Sequence, residues 1–384
     1  MEDGLRDIRK VKDIRGKKVL VRASLNVSLD SEGNLVDDFR LKKALSTIQY
    51  LKNHDAKVII CGHLGRDPNI TLRPVFAYFE RFIDITFVED ILGPEVKNAV
   101  SNMRNGDVVL LENLRREAGE RSNDEGLARD LASLADIYVN DAFSVSHRDH
   151  ASIVGIPKFI PGFAGILFQT EYEKLEHARS PEHPALFILG GAKFATKQPL
   201  IEKFLTVYDH VFVTGALAND FFVAEKIPVG RSLVSDPPVD VKHLLDHPKI
   251  VLPVDVTVLT EKGEKVVKKP EAVVAGDMIN DLGPETLKLL EPIIMNAKYI
   301  LWNGPTGDYQ LGFTEGTKGL VELVNNSSAN AIVGGGDTMA LIGKYGYMDA
   351  FAFCSTAGGS MLEFLLKGTL PGIEALKHSP RYHE

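Results

Sequence analysis

The sequence predicts an α/β protein with two doubly wound domains, each a parallel β-sheet flanked by helices, joined by a hinge helix. Three observations support this fold class. The chain has 384 residues, more than one hydrophobic core usually serves. Short β-branched runs alternate with amphipathic stretches, as in parallel sheets covered on both faces. Proline and glycine residues bracket one amphipathic segment between two series of such runs.

Each half of the chain contains short apolar runs that we predict to be strands. In the first half they span residues 18–21, 58–61, 86–88, 108–111 and 137–139. In the second half they span residues 185–189, 210–214, 250–252, 299–302, 331–333 and 350–353. We predict helices at residues 41–53 and 199–205, and we expect the polar stretch 119–126 to be an exposed loop.

A further helix is predicted at residues 169–179, between the two series of strands. The segment 160–163 contains proline and glycine before it, and the Ser-Pro-Glu-His-Pro run at 180–184 ends it. The sequence therefore indicates an N-terminal domain of residues 1–168, a connecting helix and hinge at 169–184, and a C-terminal domain of residues 185–370. The pattern leaves the docking of residues 371–384 open.

Composition excludes several classes of protein. The formal net charge of -8 argues against non-specific nucleic-acid binding. Cys61 and Cys354 both lie in apolar runs, which favours reduced core thiols over a disulfide or a metal site. The sequence contains no apolar run of membrane-spanning length, and its charged N-terminus does not resemble a secretory signal. We therefore expect a cytoplasmic protein without a membrane segment.

A glycine-rich corner follows the predicted strand 331–333. Gly334, Gly335 and Gly336 precede Asp337 and Thr338, and a helical pattern begins there. Glycines let backbone N–H groups approach a ligand, and a helix N-terminus favours an anion. Asp337 beside that anion suggests a divalent cation, such as Mg²⁺, that bridges to it. The alternative is an ordinary strand-to-helix turn with the aspartate or threonine as N-cap.

Other strand-to-helix corners in the second half have similar character. Lys193 and Lys197 follow Gly190-Gly191, and a spacing of four places both on one face of a predicted helix, which favours an anion nearby. Asn303 follows one predicted strand, and small residues at 355–360 follow the last. Gly215 and Ala216 are candidates for the floor of an apolar slot for a base. The sequence has neither a Walker A motif nor Gly-x-Gly-x-x-Gly.

Cationic and polar residues collect at the predicted strand ends of the first half, where open parallel sheets bind ligands. They are Arg22, Asn26, His63, Arg66, Arg115, His147, Arg148 and His150. Arg40 opens the first predicted helix. So many arginines at one edge of an acidic protein suggest a site for a polyanion with phosphate and carboxylate groups. The alternative is that each arginine is solvated or paired with a nearby acidic residue.

These residues resemble the phosphoglycerate kinase family, and the resemblance covers essentially the whole chain. The matching motifs occupy residues 61–66, 110–115, 138–143, 147–148, 190–193, 252–256, 302–305, 334–338 and 370–372. The resemblance implies a two-domain hinge enzyme, usually monomeric, whose C-terminal residues 371–384 return to the N-terminal domain. It also implies 3-phosphoglycerate on the N-terminal domain and Mg²⁺ with ATP or ADP on the C-terminal domain.

The resemblance assigns a role to each matching residue. For transfer of the phosphoryl group it implies Arg40, Lys193, Gly358 and Gly359. For 3-phosphoglycerate or 1,3-bisphosphoglycerate it implies Arg22, Ser24, Asn26, Arg40, His63, Leu64, Gly65, Arg66, Arg115, His147 and Arg148. For the nucleotide it implies Lys193, Lys197, Gly215, Ala216, Asn303, Gln310, Gly334, Gly335, Gly336, Asp337 and Thr338, with Asp337 on the metal. The acceptor carboxylate is ionised at pH 7, so the reaction needs no general base.

Five positions depart from the family pattern. Ser24 stands where an aspartate usually contacts the substrate hydroxyl, and Gln310 replaces a glutamate that usually binds the ribose. Thr196 replaces an aspartate, Ala357 a glycine and Arg116 an aromatic residue. We expect weaker binding of both ligands without loss of turnover. The alternative is a non-catalytic or weakened relative that binds ligands and keeps the fold.

Overall fold

The computed structural model describes residues 5–192 and 194–382. These residues form two compact units. One comprises the described residues up to Glu173 together with those from Lys367 onward, and the other is Lys174–Leu366. The predicted catalytic residue Lys193 lies outside the described residues.

Strands and helices alternate through both units. The strands are β1 Lys18–Ala23, β2 Lys57–Cys61, β3 Thr86–Phe87, β4 Val108–Leu110, β5 Ile137–Asp141, β6 Gly162–Ala164, β7 Ala185–Leu189, β8 His210–Val213, β9 Ile250–Val251, β10 Val256–Leu259, β11 Lys265–Lys268, β12 Met278–Leu282, β13 Tyr299–Asn303, β14 Asn330–Gly334 and β15 Phe353–Cys354. The helices are α1 Phe39–Asn53, α2 Arg73–Phe79, α3 Pro94–Ser101, α4 Ala118–Ser122, α5 Glu125–Ala132, α6 Ile166–Ala178, α7 Gln198–Leu205, α8 Ala216–Ala224, α9 Lys242–Leu245, α10 Pro284–Asn296, α11 Glu315–Asn326, α12 Gly336–Lys344, α13 Gly359–Lys367 and α14 Pro371–Lys377.

Each unit is built on a parallel sheet, which confirms the predicted fold class. In the first unit the strand order is β3-β4-β2-β1-β5-β6, and all described pairs are parallel. In the second unit the order is β15-β14-β13-β7-β8-β9, again parallel throughout. In each sheet, the strand that comes first in the chain, β1 or β7, is central, and later strands are added on both sides of it. This arrangement creates a crevice at the carboxyl ends of β1 and β5, and another at those of β7 and β13.

The central strands are mostly apolar because helices cover both faces of each sheet. All five residues of β7 and of β13 are buried, as are all but the first residue of β1. Trp302 in β13 is the largest fully buried side chain among the described residues, and its Nε1–H donates to the carbonyl of Gly304. This core fixes the strand ends that carry the site.

The structure corrects several local predictions. Strand β6 and an antiparallel sheet of order β11-β10-β12 were not predicted. The strand predicted at 350–353 is displaced, because a 3₁₀ turn occupies Met348–Ala350 and β15 begins only at Phe353. The stretch 119–126 is not an exposed loop: it contains parts of α4 and α5, and Glu120 is fully buried. Helix α6 begins three residues before the helix predicted at 169–179.

The C-terminal helix α14 belongs to the first unit. Arg6 donates hydrogen bonds to the carbonyls of Leu376, Ser379 and Pro380. Gly162 in β6 donates its N–H to the Ser379 hydroxyl at 3.0 Å. Among the described residues, no helix is both long and apolar enough to cross a membrane.

Two helical glycines give matched tests of packing. A Cβ added at Gly316 in α11 would lie 2.3 Å from Oδ1 of the buried Asp281, whereas one added at Gly343 in α12 would meet nothing within 4 Å. We expect Gly316→Ala to destabilise by about 1–3 kcal/mol through overpacking. We expect Gly343→Ala to stabilise by about 0.5–1 kcal/mol, because alanine is the better helix former. Thermal unfolding of both variants checks this, and a Gly316→Ala midpoint at or above that of the parent contradicts it.

Candidate active site

The glycine-rich corner lies at the end of β14. Gly335 has φ of 105°, a conformation that favours glycine, and it is the N-cap of α12. No described side chain makes a capping hydrogen bond there, so the alternative of Asp337 or Thr338 as an ordinary N-cap is wrong. Thr338 is fully buried and its Oγ1 has no hydrogen-bond partner among the described residues. The corner therefore keeps donor groups available to a ligand.

A pocket of about 330 Å³ opens at this corner. Its lining comes from the ends of β7, β13 and β14 and the starts of α12 and α13, at the switch point of the sheet. The predicted residues that it brings together are Lys197, Asn303, Gly335, Gly336, Asp337, Thr338, Gly358 and Gly359. Gly334 is buried at the end of β14, directly behind them.

Lys197 is a cation held close to this pocket. It is the N-cap of α7 and follows a 3₁₀ turn at Phe194–Thr196. The predicted same-face arrangement pairs it with Lys193, which lies outside the described residues. Its Nζ donates to the carbonyl of Gly190 at 2.6 Å. Burial lowers the pKa of the Lys197 ammonium to about 8, while nearby Asp337 acts in the opposite direction. A phosphate would favour the charged form of such a lysine.

An apolar pocket of about 320 Å³ adjoins the glycine corner, because Gly191, Ala192 and Pro305 line both pockets. Gly215, with φ of 64°, is the N-cap of α8 and lines this pocket together with Ala216. The other lining includes Phe222, Leu233, Val256, Met278, Ile279, Leu282 and the predicted ribose contact Gln310. An apolar slot that continues into an anion-favouring corner has the shape and polarity that a nucleotide requires.

Tyr309 connects the two pockets and was not predicted from the sequence. It lines the apolar pocket, and its hydroxyl donates to Oδ1 of Asp337 at 2.9 Å in the other. Magnesium is commonly held by one or two carboxylates together with substrate phosphates. Asp337 fits that donor set, and no group of three or more His, Cys, Asp or Glu residues among those described forms a metal cage.

The first unit contains a second collection of predicted residues. Arg22 lies inside β1, not beyond it, and its side chain is fully buried. Its guanidinium donates to the Ser152 hydroxyl, to the carbonyl of Ala23 and to Nδ1 of His63. Because the Arg22 side chain is buried and engaged within the protein, the geometry does not support the predicted direct contact with a ligand.

Arg115 and the histidines near it form an electropositive cluster. Arg115 is 9% exposed, and its Nε is buried without a hydrogen-bond partner among the described residues. Burial, followed by repulsion from Arg121, lowers its pKa to about 10. Burial and the surrounding arginines lower the pKa of His150 to about 4, and they hold that of His63 well below its usual value. Both histidines are therefore uncharged at neutral pH, and the positive charge that an anionic ligand would balance is that of the arginines.

The remaining predicted residues of the first unit surround this cluster. Arg66 and Arg148 are exposed, and Arg148 donates to Nε2 of the half-buried His147 at 3.4 Å. Leu64 is buried in the core. Gly65 donates its N–H to Oδ1 of Asn26 at 2.8 Å. The N–H of Leu64 donates to Oδ1 of Asn113 at 3.3 Å, so both backbone N–H groups are engaged within the protein.

Arg40 lies in the first turn of α1. Its Nη1 donates to the carbonyl of Asn26 at 2.6 Å, and burial lowers the pKa of its guanidinium while Asp37 and Glu171 oppose that shift. Ser24 is buried and its hydroxyl is 2.8 Å from that of Ser144. Asn26 therefore connects the helix that carries Arg40 to the loop that carries Gly65.

The other departures from the family pattern are also placed. Arg116, 39% exposed, forms an ion pair with the buried Glu112 at 3.0 Å. Thr196 is exposed in a 3₁₀ turn at the rim of the glycine corner. Ala357 is buried, and its carbonyl accepts the N–H of Gly335 at 3.3 Å.

One parallel sheet carries a cationic edge, and the other carries an apolar slot beside a glycine-walled corner. This combination favours a phosphotransferase of the kinase class. The family model described as phosphoglycerate kinase matches residues 8–368, and the chain belongs to that family. The phosphoglycerate kinase of Aquifex aeolicus is 42% identical, over 96% of this chain and 96% of the relative. That of Pseudothermotoga lettingae is 40% identical, over 95% and 96%.

Solved structures agree with the sequence comparison. The phosphoglycerate kinase of Coxiella burnetii has a TM-score of 0.84 at 33% identity, covering 97% of this chain and 99% of that one. The phosphoglycerate kinase of Pyrococcus horikoshii has a TM-score of 0.86 at 31% identity, covering 97% and 98%. The predicted family is confirmed, and with it the predicted enzyme class, a phosphotransferase with a carboxyl acceptor.

Lys197 provides a test of the glycine corner. If the corner binds nucleotide phosphates, Lys197→Met should weaken MgADP binding by about 10- to 100-fold, because a charge-assisted hydrogen bond contributes about 1.5–3 kcal/mol. Since burial lowers the lysine pKa to about 8, the ammonium loses its proton as pH rises through that value. Binding to the parent should therefore weaken between pH 7 and 9. Isothermal titration calorimetry measures both effects, and an equal pH response in Lys197→Met contradicts this assignment.

Proposed function

We propose that this protein catalyses reversible phosphoryl transfer between ATP and the carboxylate of 3-phosphoglycerate, giving 1,3-bisphosphoglycerate and ADP, a step of glycolysis and gluconeogenesis. The observation that carries the proposal is the continuity of the apolar slot with the glycine corner, through Gly191, Ala192 and Pro305. A base in the slot would place its phosphates at the start of α12. The family match over residues 8–368 supports the same reaction.

The proposed nucleotide-binding domain, residues 185–370, overlaps the second unit, Lys174–Leu366. The first turn of α12 offers backbone N–H groups to the phosphates, and Lys197 and Thr338 add side-chain donors. Asp337 would hold Mg²⁺ together with phosphate oxygens, as its position beside the corner favours. When bound, the ion neutralises charge on the phosphates.

The proposed 3-phosphoglycerate-binding domain, residues 1–168 with 371–384, overlaps the first unit, whose described residues run to Glu173 and resume at Lys367. Arg115 supplies a buried Nε–H that has no hydrogen-bond partner among the described residues, in a cluster where burial and other arginines lower its pKa. Exposed Arg66 and Arg148 can reach a phosphate from solvent. His63 can contribute a neutral donor, because burial keeps its pKa well below the usual value.

Transfer itself rests on positioning and charge neutralisation. The acceptor is a carboxylate that is ionised at pH 7, so it attacks without losing a proton. The moving phosphoryl group carries charge on its equatorial oxygens, and we assign their stabilisation to Arg40, Lys193 and the helix start at Gly358 and Gly359. We propose residues 169–184 as the hinge, because the two bound ligands must be brought into line for transfer.

The protein is further proposed to act as a cytoplasmic monomer without nucleic-acid or membrane partners. The net charge of -8 supports the absence of nucleic-acid binding. No observation favours the alternative of a non-catalytic binding protein.

A coupled assay with 3-phosphoglycerate and MgATP tests the reaction. We expect turnover in the parent and a loss of about 10²–10³-fold in kcat for Arg40→Ala, the magnitude typical when one donor to a developing charge is removed. Arg81→Ala, on the exposed surface after α2, is the matched control and should retain full activity. Parent activity no higher than that of Arg40→Ala would exclude the proposed function. Repeating the assay with other nucleoside triphosphates defines base preference.

Gln310 tests the proposed ribose contact. Its exposed side chain lines the apolar pocket, and the acceptor that it offers is a neutral amide oxygen and not a charged carboxylate. We expect Gln310→Glu to lower the KM for MgATP by about 10-fold, because a hydrogen bond to a charged group exceeds a neutral one by roughly 1–1.5 kcal/mol. The KM for 3-phosphoglycerate should stay constant in the same steady-state measurement. An unchanged or higher KM for MgATP argues against the contact.

A further inference from the structure

A chain of four buried side chains runs through the first unit behind the electropositive cluster. Oε1 of Glu120 accepts from the Ser152 hydroxyl at 2.7 Å, and Oε2 accepts the Ser152 N–H at 3.0 Å. The Ser152 hydroxyl accepts from Nε of Arg22 at 2.9 Å. Nη2 of Arg22 lies 2.8 Å from Nδ1 of His63. Glu120, Ser152 and Arg22 are all fully buried.

The chemistry of these groups fixes the direction of every hydrogen bond. A guanidinium has only donors, so Nη2 of Arg22 donates and Nδ1 of His63 must accept. An accepting Nδ1 carries no proton, and a neutral imidazole then has its proton on Nε2. At the other end, the Ser152 hydroxyl donates a hydrogen bond to the Glu120 carboxylate and accepts one from Nε of Arg22 through a lone pair.

We propose that Arg22, held by Ser152 and Glu120, is a positioning residue that fixes His63 as its neutral Nε2–H tautomer. The proposal rests on the proposed function only for the role of His63 as a contact to 3-phosphoglycerate. In that role, His63 provides one uncharged donor to a ligand oxygen, and the arginines of the cluster provide the charge. The sequence pattern alone had assigned Arg22 to the ligand directly.

Burial and charge both support this assignment. All three donor nitrogen atoms of Arg22 are engaged within the protein, since Nη1 donates to the carbonyl of Ala23 at 2.6 Å. Protonation of His63 would place a second cation against Arg22, with Arg115, Arg148 and His150 also facing it. Burial and these charges accordingly hold the pKa of His63 well below its ordinary value. Glu120 supplies the compensating negative charge two hydrogen bonds away.

The local backbone explains how Ser152 reaches this position. It lies in a single π-helical turn, Ala151–Gly155, a conformation frequent at functional sites. Its carbonyl accepts from the hydroxyl of the buried Tyr138 at 2.7 Å, so the turn is held on the sheet. Both the backbone N–H and the hydroxyl of Ser152 thereby face Glu120 in α4.

Nitrogen-15 NMR of the intact, histidine-labelled protein tests the tautomer without any need for activity. We expect His63, assigned through His63→Gln, to show an unprotonated Nδ1 and a protonated Nε2, unchanged between pH 6 and 8. A protonated Nδ1, or an imidazolium at pH 7, would overturn the proposal. Absence of turnover in the coupled assay would refute the proposed function and leave this spectrum interpretable.

Ser152→Ala tests the chain that holds Arg22. The substitution removes the hydroxyl between Arg22 and Glu120, so we expect a mixture of His63 tautomers. We also expect the KM for 3-phosphoglycerate to rise about 2- to 10-fold with kcat unchanged, the fold-change for one net hydrogen bond. Ser152→Thr retains the hydroxyl and should restore both values. Ser133→Ala, at an exposed serine of the same unit, is the control. An unchanged tautomer and KM in Ser152→Ala would overturn the role of Ser152 and Glu120.

Discussion

Backbone contact between the ends of β7 and β13 is the constraint on which the second unit depends. A Cβ at Gly190 would lie 2.2 Å from the carbonyl oxygen of Pro305, and one at Gly304 would lie 2.3 Å from that of Gly190. Gly215 is close to the backbone of Gly191 as well. Only glycine permits these approaches, and they place both pockets against the same few peptide groups. The apolar slot and the glycine corner thus lie on either side of the same backbone contact between the ends of β7 and β13.

The first unit meets a different constraint, which is how to bury positive charge. Arg22 lies in the middle of a hydrophobic sheet, where an isolated cation would be costly. Glu120 compensates for it through Ser152, while Nε of Arg115 is buried with no hydrogen-bond partner in the part of the chain that the structure describes. The buried charge of Arg22 is therefore satisfied by hydrogen bonds inside the unit, whereas Arg115 retains a buried donor for a ligand even though Glu120 also acts on its charge.

The sequence predicted the features that depend on local pattern. Apolar runs located the parallel strands except β6 and part of β15, and the glycines at the end of β14 located the start of α12, because both signals come from neighbouring residues. It could not predict that Arg22 lies within β1 and is buried, since its partner Ser152 is 130 residues away. Glu120 belongs to the polar stretch that was predicted to be an exposed loop, and its burial depends on tertiary packing that the local sequence does not reveal. Tyr309 was missed because no motif indicates that its hydroxyl reaches Asp337.

These constraints suggest why several departures from the family pattern can coexist with a retained reaction. Gln310 and Thr196 are exposed at pocket rims, where a lost charge changes ligand affinity without disturbing the backbone donors. Ala357 lies at the contact between the last strand and Gly335, but it contributes its carbonyl, which any residue has. Ser24 is the exception, because it is buried beside Ser144, and a carboxylate there would require a new hydrogen-bonding partner. Substitution is tolerated where a side chain is exposed to solvent or where the residue contributes only its backbone. Neither condition holds for Gly190 and Gly304 at the ends of β7 and β13, where any side chain would overlap the neighbouring backbone.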